Sequence, residues 1–436
     1  MVNRRGMFKR WSASLVVVSF LLCILGTYLT RSGILDSVHS FPKSSIGWFF
    51  LVFMIISAVG AVVAIVSRLQ LLRSEHDLVD LISREGAFLA VNVLLVLMMV
   101  ITLVGTLFPV FSNLFTSQRI TPERSFYNMT VLPLALALAA VMAVGPLLTF
   151  GSGAAARAAR LLKMMMAVAG LAAVGAFLLA ANVPLLGSLL AHPHFTVEYF
   201  GKVLFAGQAW TVAVAAVLAG VLAGITLDFS TAVATRRRAI TENFLLAPLN
   251  VLLADRRRWG AQTVHFGIAA IILGIAGSSL HNIDKTQSLT VDQSARVGKY
   301  TITFAGLSDA KRPNHGAVIA TVLVTDLDGN KVTLHPERRF YPKSEEGQSS
   351  SEVAINFSLS NDIYVNLAGW EDDGKTATLQ IIINPLINWI WIGGGILALG
   401  ATLCLIPRGA PAPATVSVPA APATTRRKNK LTVRTA

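Results

Sequence analysis

The segment 258-RWGAQTVHFGIAAIILGIAGSS-279 decides the fold of this 436-residue chain. From Ala261 onward it is apolar for roughly 20 residues, the length a helix needs to cross about 30 Å of hydrocarbon. His265 interrupts it about 9–11 Å beyond Trp259 along a helix rising 1.5 Å per residue. An ionisable side chain within a span is costly and by default marks a site. The competing reading is a neutral imidazole hydrogen-bonded between helices. Gly267, Gly274 and Gly277 clear space beside it for a neighbouring helix or for a flat cofactor.

The whole chain has the same character. Hydrophobic residues make up 54% and charged residues 14%, with mean hydropathy +0.62, which excludes an ordinary soluble globular protein. Eight apolar runs can span a bilayer, near 12–30, 47–67, 87–109, 131–150, 164–182, 203–226, 261–280 and 386–406. The net charge of +14 could suggest nucleic acid, but the basic residues are clustered between these runs. Arg4, Arg5, Lys9 and Arg10 precede the first run, Arg68 and Arg73 follow the second, and Arg157, Arg160 and Lys163 follow the fourth. Arg236–Arg238 and Arg256–Arg258 follow the sixth; Arg426, Arg427, Lys428 and Lys430 follow the eighth. That alternation obeys the positive-inside rule and predicts both termini on the cytoplasmic side, with no role for nucleic acid. The basic start MVNRRGMFKRW lacks a convincing cleavage site after its apolar run, so the first run reads as an uncleaved span.

Cys23 and Cys404 both lie in apolar runs, so the sequence holds no CxxC, no zinc spacing, no disulfide framework and no CxxCH haem-attachment motif. Between the last two spans the pattern changes. The runs 300-YTITFAG-306, 317-AVIATVLVTD-326, 352-EVAINFSL-359 and 376-TATLQIIIN-384 are β-branched and aromatic, and 326-DLDGN-330 and 371-EDDGK-375 supply turn chemistry. The chain therefore divides into a seven-helix transmembrane region (1–280), an external β domain (281–385), a final transmembrane helix (386–408) and a disordered tail (409–436). The fold class is an all-α polytopic membrane protein of about eight transmembrane helices, with a small extracytoplasmic all-β domain inserted before the last helix.

The remaining histidines carry weaker signals. His39, in 28-YLTRSGILDSVHSF-41, sits on the external side beyond the first span, where an imidazole is ordinarily just solvated. His192 and His194 form a short AHPHF loop pair, His76, His315 and His335 read as solvated, and His281 reads as an interfacial anchor. His39 and His265 lie on opposite sides of the membrane and cannot share one iron. As axial ligands they would serve two different haems.

The segments 28-YLTRSGILDSVHSF-41, 82-ISREGAFLAVNVLLVLMMVITLVGTLFP-109, 256-RRRWGAQTVHFGIAAIILGIAGSS-279, 334-LHPERRFYP-342, 362-DIYVNLAGW-370 and 384-NPLINWIWIGGGILALG-400 together resemble the C-terminal part of the cytochrome c maturation protein F family, in the right order. The resemblance implies a subunit of a multi-subunit cytochrome c haem lyase in the inner membrane. It implies that His39 receives haem from a haem chaperone, that Arg31 beside it pairs with a propionate, and that His265 ligates a resident haem b. That haem would take electrons from quinol and keep the transferred iron reduced while haem is joined to apocytochrome c. The tryptophan-rich motif and the first histidine of each ligand pair are missing from this sequence. The resemblance thus implies a split or truncated chain, inactive without a separate N-terminal half, with apocytochrome c, its chaperone subunits and membrane lipid as further partners. The rival readings are the nitrite-reductase-specific paralogue of the lyase, a haem-free transporter and an assembly scaffold.

Overall fold

The computed structural model describes residues 6–406 apart from 35–44, 76, 77, 79, 183–196, 200, 201, 206, 241, 242, 244, 245, 342–348, 372 and 373. His39, His76, His192, His194 and the tail lie outside the described residues. The membrane-crossing helices are α1 (Lys9–Ser32), α2 (Ile46–Val66), α3 (Arg84–Thr116), α4 (Arg124–Val144), α5 (Ala154–Asn182), α6 (Gly207–Ala239), α8 (Arg256–Leu280) and α9 (Asn388–Leu405). All eight are long and apolar enough to span a bilayer, as the hydropathy predicts. A short helix, α7 (Leu246–Ala254), joins α6 to α8, and a small hairpin of β1 (Val197–Tyr199) and β2 (Lys202–Phe205) precedes α6.

Contacts among the helix ends agree with the charge pattern. Lys9 Nζ pairs with Glu75 at 2.6 Å and Arg10 donates to the Leu69 carbonyl, which puts the start of α1 beside the end of α2. Glu85, buried at the start of α3, accepts from the Gly151 amide at 3.1 Å, and the Arg84 guanidinium donates to Pro146 and lies over the Phe150 ring. These bonds brace the turn after α4 and account for 84-RE-85 as structural residues.

The helices α8 and α9 form the tightest pair. Small residues let two membrane helices approach closely where no hydrophobic effect drives them together. A Cβ on Gly267 would lie 2.7 Å from the Leu397 amide nitrogen, and one on Gly393 would lie 2.6 Å from the Gly267 carbonyl oxygen. Gly260 and Gly400 repeat this contact one heptad away, and Gly274 packs on Ile390. The space cleared by Gly267 and Gly274 is therefore filled by a helix, on the face of α8 opposite His265.

The chain passes from α8 almost directly into a β-sandwich. Its strands are β3 (Ile283–Thr290), β4 (Ser294–Val297), β5 (Tyr300–Lys311), β6 (Gly316–Thr325), β7 (Lys331–Leu334), β8 (Glu337–Phe340), β9 (Ser349–Glu352), β10 (Ala354–Asn356), β11 (Asn361–Trp370) and β12 (Thr376–Pro385). One sheet runs β10-β11-β12-β3 and the other β4-β5-β6-β8-β9 with β7 also on β6, and every pairing is antiparallel. Strand β12 alternates buried and half-buried residues without exception, the mark of a face packed on a core. Ile302, Phe304 and Val322 from one sheet meet Ile363, Leu367, Leu379 and Ile381 from the other, all fully buried. Each such side chain contributes roughly 1.5–3 kcal/mol.

The predicted 326-DLDGN-330 turn forms. Asp326 accepts from the amides of Asp328 and Asn330, and the Asn330 side-chain hydrogen bond holds its carboxyl below the ordinary range. The charged residues of 334-LHPERRFYP-342 brace the sandwich. Arg338 reaches Ser349 and the Ala368 carbonyl, and Glu337 bridges Arg312 and Arg339. His315 is not solvated as its loop position suggests. It is 8% exposed, against the Tyr341 ring, with Nδ1 2.7 Å from Asn314 Oδ1.

The sandwich is fixed to the membrane pair at both of its chain ends. Ile283, three residues past α8, pairs in register with Ile383, five residues before α9. Asn388, in the first turn of α9, donates to the buried Asp362 carboxylate at 2.8 Å and to the Ser358 carbonyl, and Trp389 donates to the Leu359 carbonyl.

Candidate functional site

At 100° per residue, His265 lies roughly 160° round α8 from Gly267, on the face turned away from the α9 seam. That face meets α6. Val221 of α6 packs with Ala269 of α8, Thr211 bonds His281 at 3.2 Å, and Asp228 bonds both Arg258 and Gln262. The registers run antiparallel, so His265 falls between the Val221–Ala269 contact and the Asp228 cluster. Its ring is half-buried and, among the described residues, makes no hydrogen bond. The imidazole therefore lacks the partner that a purely structural histidine inside a span would need. A half-buried imidazole with no competing hydrogen bond among the described residues has the chemistry of an axial ligand to haem iron.

The cluster below it was not foreseen. Asp228 is 7% exposed and lies in α6, which continues to Ala239, beyond the apolar run ending at 226. Its carboxylate accepts from Gln262 Nε2 at 2.8 Å, from Arg258 Nε at 3.3 Å and from Arg258 Nη2. Gln262 is 6% exposed, and Trp259 is buried against Phe229 at 5.0 Å between ring centroids. The available signal was a lone acidic residue in a helix otherwise free of charge until Arg236.

Arg31 lies exposed in the last turn of α1, which Gly33 ends in the left-handed conformation at φ 65°. Gly47 packs directly on Ser32, so the helices bracketing 35–44 meet at their ends. Arg31 thus lies at the end of α1 that leads into residues 35–44, on a different helix from the α8 site. A cavity of about 440 Å³ between α1, α3 and α4 is lined by Leu22, Gly26, Met98, Thr102 and Val131, with no ionisable group among its lining residues. Among the described residues, no cluster of histidine, cysteine and acidic side chains suits a metal ion.

Eight membrane helices whose last pair carries a β-sandwich, with an imidazole inside the first helix of that pair that makes no hydrogen bond among the described residues, define a polytopic membrane protein with an inserted β domain. Residues 280–385 match the family model described as CcmF C-terminal beta-sandwich. Over 410 residues the chain is 28% identical to the cytochrome c-type biogenesis protein CcmF of Haemophilus influenzae, covering 93% of this chain and 57% of that protein. It is 29% identical over 405 residues to CcmF of Escherichia coli, covering 92% and 56%. Against the cytochrome c-type biogenesis protein NrfE of Haemophilus influenzae it is 23% identical over 412 residues. A solved structure titled cytochrome c heme lyase CcmF shares the fold, with a TM-score of 0.64 at 24% identity, covering 93% of this chain and 56% of that one. The chain is similar to cytochrome c maturation protein F over nearly its whole length, and it spans a little over half the length of the curated relatives it matches.

Proposed function

We propose that this chain is a haem-handling subunit of a cytochrome c haem lyase, with His265 as an axial ligand of a resident haem b. The observation that carries this reading is the His265 ring, half-buried in a span and without a hydrogen bond among the described residues. Bound haem of this kind supplies one-electron chemistry, which keeps substrate haem iron ferrous. The protein's part is to hold the ring. The glycine seam locks α8 against α9, and the Asp228 clamp locks it against α6, so the imidazole has a fixed height and azimuth.

His39 is the second ligand in this reading, receiving substrate haem from a haem chaperone on the external side, with Arg31 at the neighbouring helix end as a propionate partner. The apocytochrome thiols are the nucleophiles that add to the haem vinyl groups, since Cys23 and Cys404 both lie in membrane helices. Each ligand pair is completed by an imidazole from an N-terminal half that also carries the tryptophan-rich motif. Quinol is the proposed electron source, and apocytochrome c with its chaperone subunits the remaining partners. The chain resides in the inner membrane with both termini cytoplasmic and the β-sandwich external. Greater identity to CcmF than to NrfE of the same organism favours general cytochrome c maturation over the dedicated paralogue.

The test is the absorption spectrum of the chain co-expressed with its N-terminal half, beside the same preparation carrying His265→Ala. Loss of a reduced b-type spectrum in the variant is the expected result. An unchanged spectrum returns His265 to packing, and no haem in either preparation favours a scaffold or transporter.

A further inference from the structure

Arg258 sits seven residues before His265, so at 100° per residue the two share an azimuth to within about 20° and are separated by about 10 Å along α8. Its guanidinium is held rather than free to wander. Nε and Nη2 are bonded to the Asp228 carboxylate, and the group stacks over Trp259 with 5.2 Å from Cζ to the ring centroid. Nη1 makes no hydrogen bond among the described residues, and the side chain remains 47% exposed. Arginine in this state is a preorganised fork with one tine used and one presented, the arrangement that recognises a carboxylate. Asp228 already satisfies one side, so a second anion would meet a neutral ion pair. Arg256 and Arg257 on the same turn, and Arg236–Arg238 at the end of α6, add a positive field there.

Haem carries its two carboxylates on one edge, and a haem bound to an imidazole projecting from a helix lies with its plane along that helix. We infer that Arg258, positioned by Asp228, is the propionate anchor for the haem held by His265, fixing which edge of the macrocycle points toward the cytoplasmic end of α8. This rests on the reading of His265 as an axial ligand. Asp228 acts through Arg258 and is a positioning residue.

Haemin and its dimethyl ester share the macrocycle and iron and differ at the two carboxyl groups, which esterification makes neutral, so the pair probes this contact. Each is titrated into the purified complex of the full chain with its N-terminal half in detergent micelles, with the Soret band as readout, for wild type and for Arg258→Ala, Arg258→Lys, Arg296→Ala and His265→Ala. Wild type should bind haemin tighter than the ester by on the order of tenfold, the scale of one charge-assisted hydrogen bond. Arg258→Ala should bind the two equally, Arg258→Lys should keep part of the preference, and Arg296→Ala, in β4 of the sandwich, should keep all of it. A haemin spectrum unaffected by His265→Ala, or no haemin bound by wild type, overturns the axial-ligand reading and the anchor with it. Equal affinity of wild type for haemin and ester, with His265 still required, overturns the anchor alone. The wild-type comparison needs no variant to fold.

Discussion

Replacing Gly267 by alanine should destabilise the membrane domain, whereas replacing Gly394 by alanine, on the facing helix, should not. At Gly267 the new methyl would lie 2.7 Å from Leu397 N, 2.8 Å from Gly393 O and 3.0 Å from Leu397 Cα. All three are backbone atoms of α9, so no side chain can turn away. Relaxing these contacts toward the van der Waals optimum of about 3.5–4.0 Å means parting the helices by roughly 0.5–1 Å. Overpacking of this kind costs about 1–3 kcal/mol, and the close backbone contacts one heptad to either side loosen with it. Alanine's better helix propensity returns at most about 1 kcal/mol. With the full propensity gain subtracted, the net expectation is a loss of up to about 2 kcal/mol. Gly394 and Gly395 have no atom within 4 Å of a built Cβ, so there only the propensity gain of up to about 1 kcal/mol remains. Reversible unfolding in mixed micelles at rising SDS fraction, followed by far-ultraviolet circular dichroism, measures both. Shifts of the same sign for Gly267→Ala and Gly394→Ala would refute the seam.

Asp228→Ala leaves a buried Gln262 amide unpaired and removes the counter-ion of Arg258; it should cost about 1–3 kcal/mol in the same assay, with Asp228→Asn recovering part. Ile381→Ala opens a cavity at a fully buried position between the sheets and should cost about 2–5 kcal/mol, seen as lost amide protection in β11 and β12. Burial pushes the Glu337 carboxyl up, but hydrogen bonds and charge from Arg339 and Arg312 more than offset this, leaving it below its ordinary value of 4.5. Its contribution is therefore present above that pH and lost as the pH falls through the lowered value. Sandwich melting between about pH 7 and pH 3 should show that loss, and Glu337→Gln should flatten it.

The eight spans were legible because bilayer thickness imposes a length that no soluble fold requires, and strands such as 376-TATLQIIIN-384 because a packed sheet imposes a period of two. His265 was legible as an ionisable group where none is expected. What filled the space beside Gly267 was not, since a small residue admits a helix and a cofactor equally and only the facing Gly393 and Gly400 decide between them. Asp228 escaped notice because hydropathy fades before a helix ends. The last turns of α6 lie among basic residues, and the acid's partners are thirty and thirty-four positions away at Arg258 and Gln262. The burial of His315 was invisible for a similar reason, because Tyr341 reaches it from just beyond β8.

The pairing of Ile283 with Ile383 bears on how the last two helices find each other. Between α8 and α9 the chain makes an excursion of roughly 100 residues, and closing an unstructured loop of that length would cost about 2 kcal/mol more than closing one of about ten. The sandwich removes that difference by folding: once β3 and β12 are paired, the ends of the two helices are already neighbours. To the bilayer the pair is then a short helical hairpin. The sandwich strands act as its turn, and substitutions that unfold the sandwich should slow the association of α8 with α9 even though none of them lies in a membrane-crossing helix.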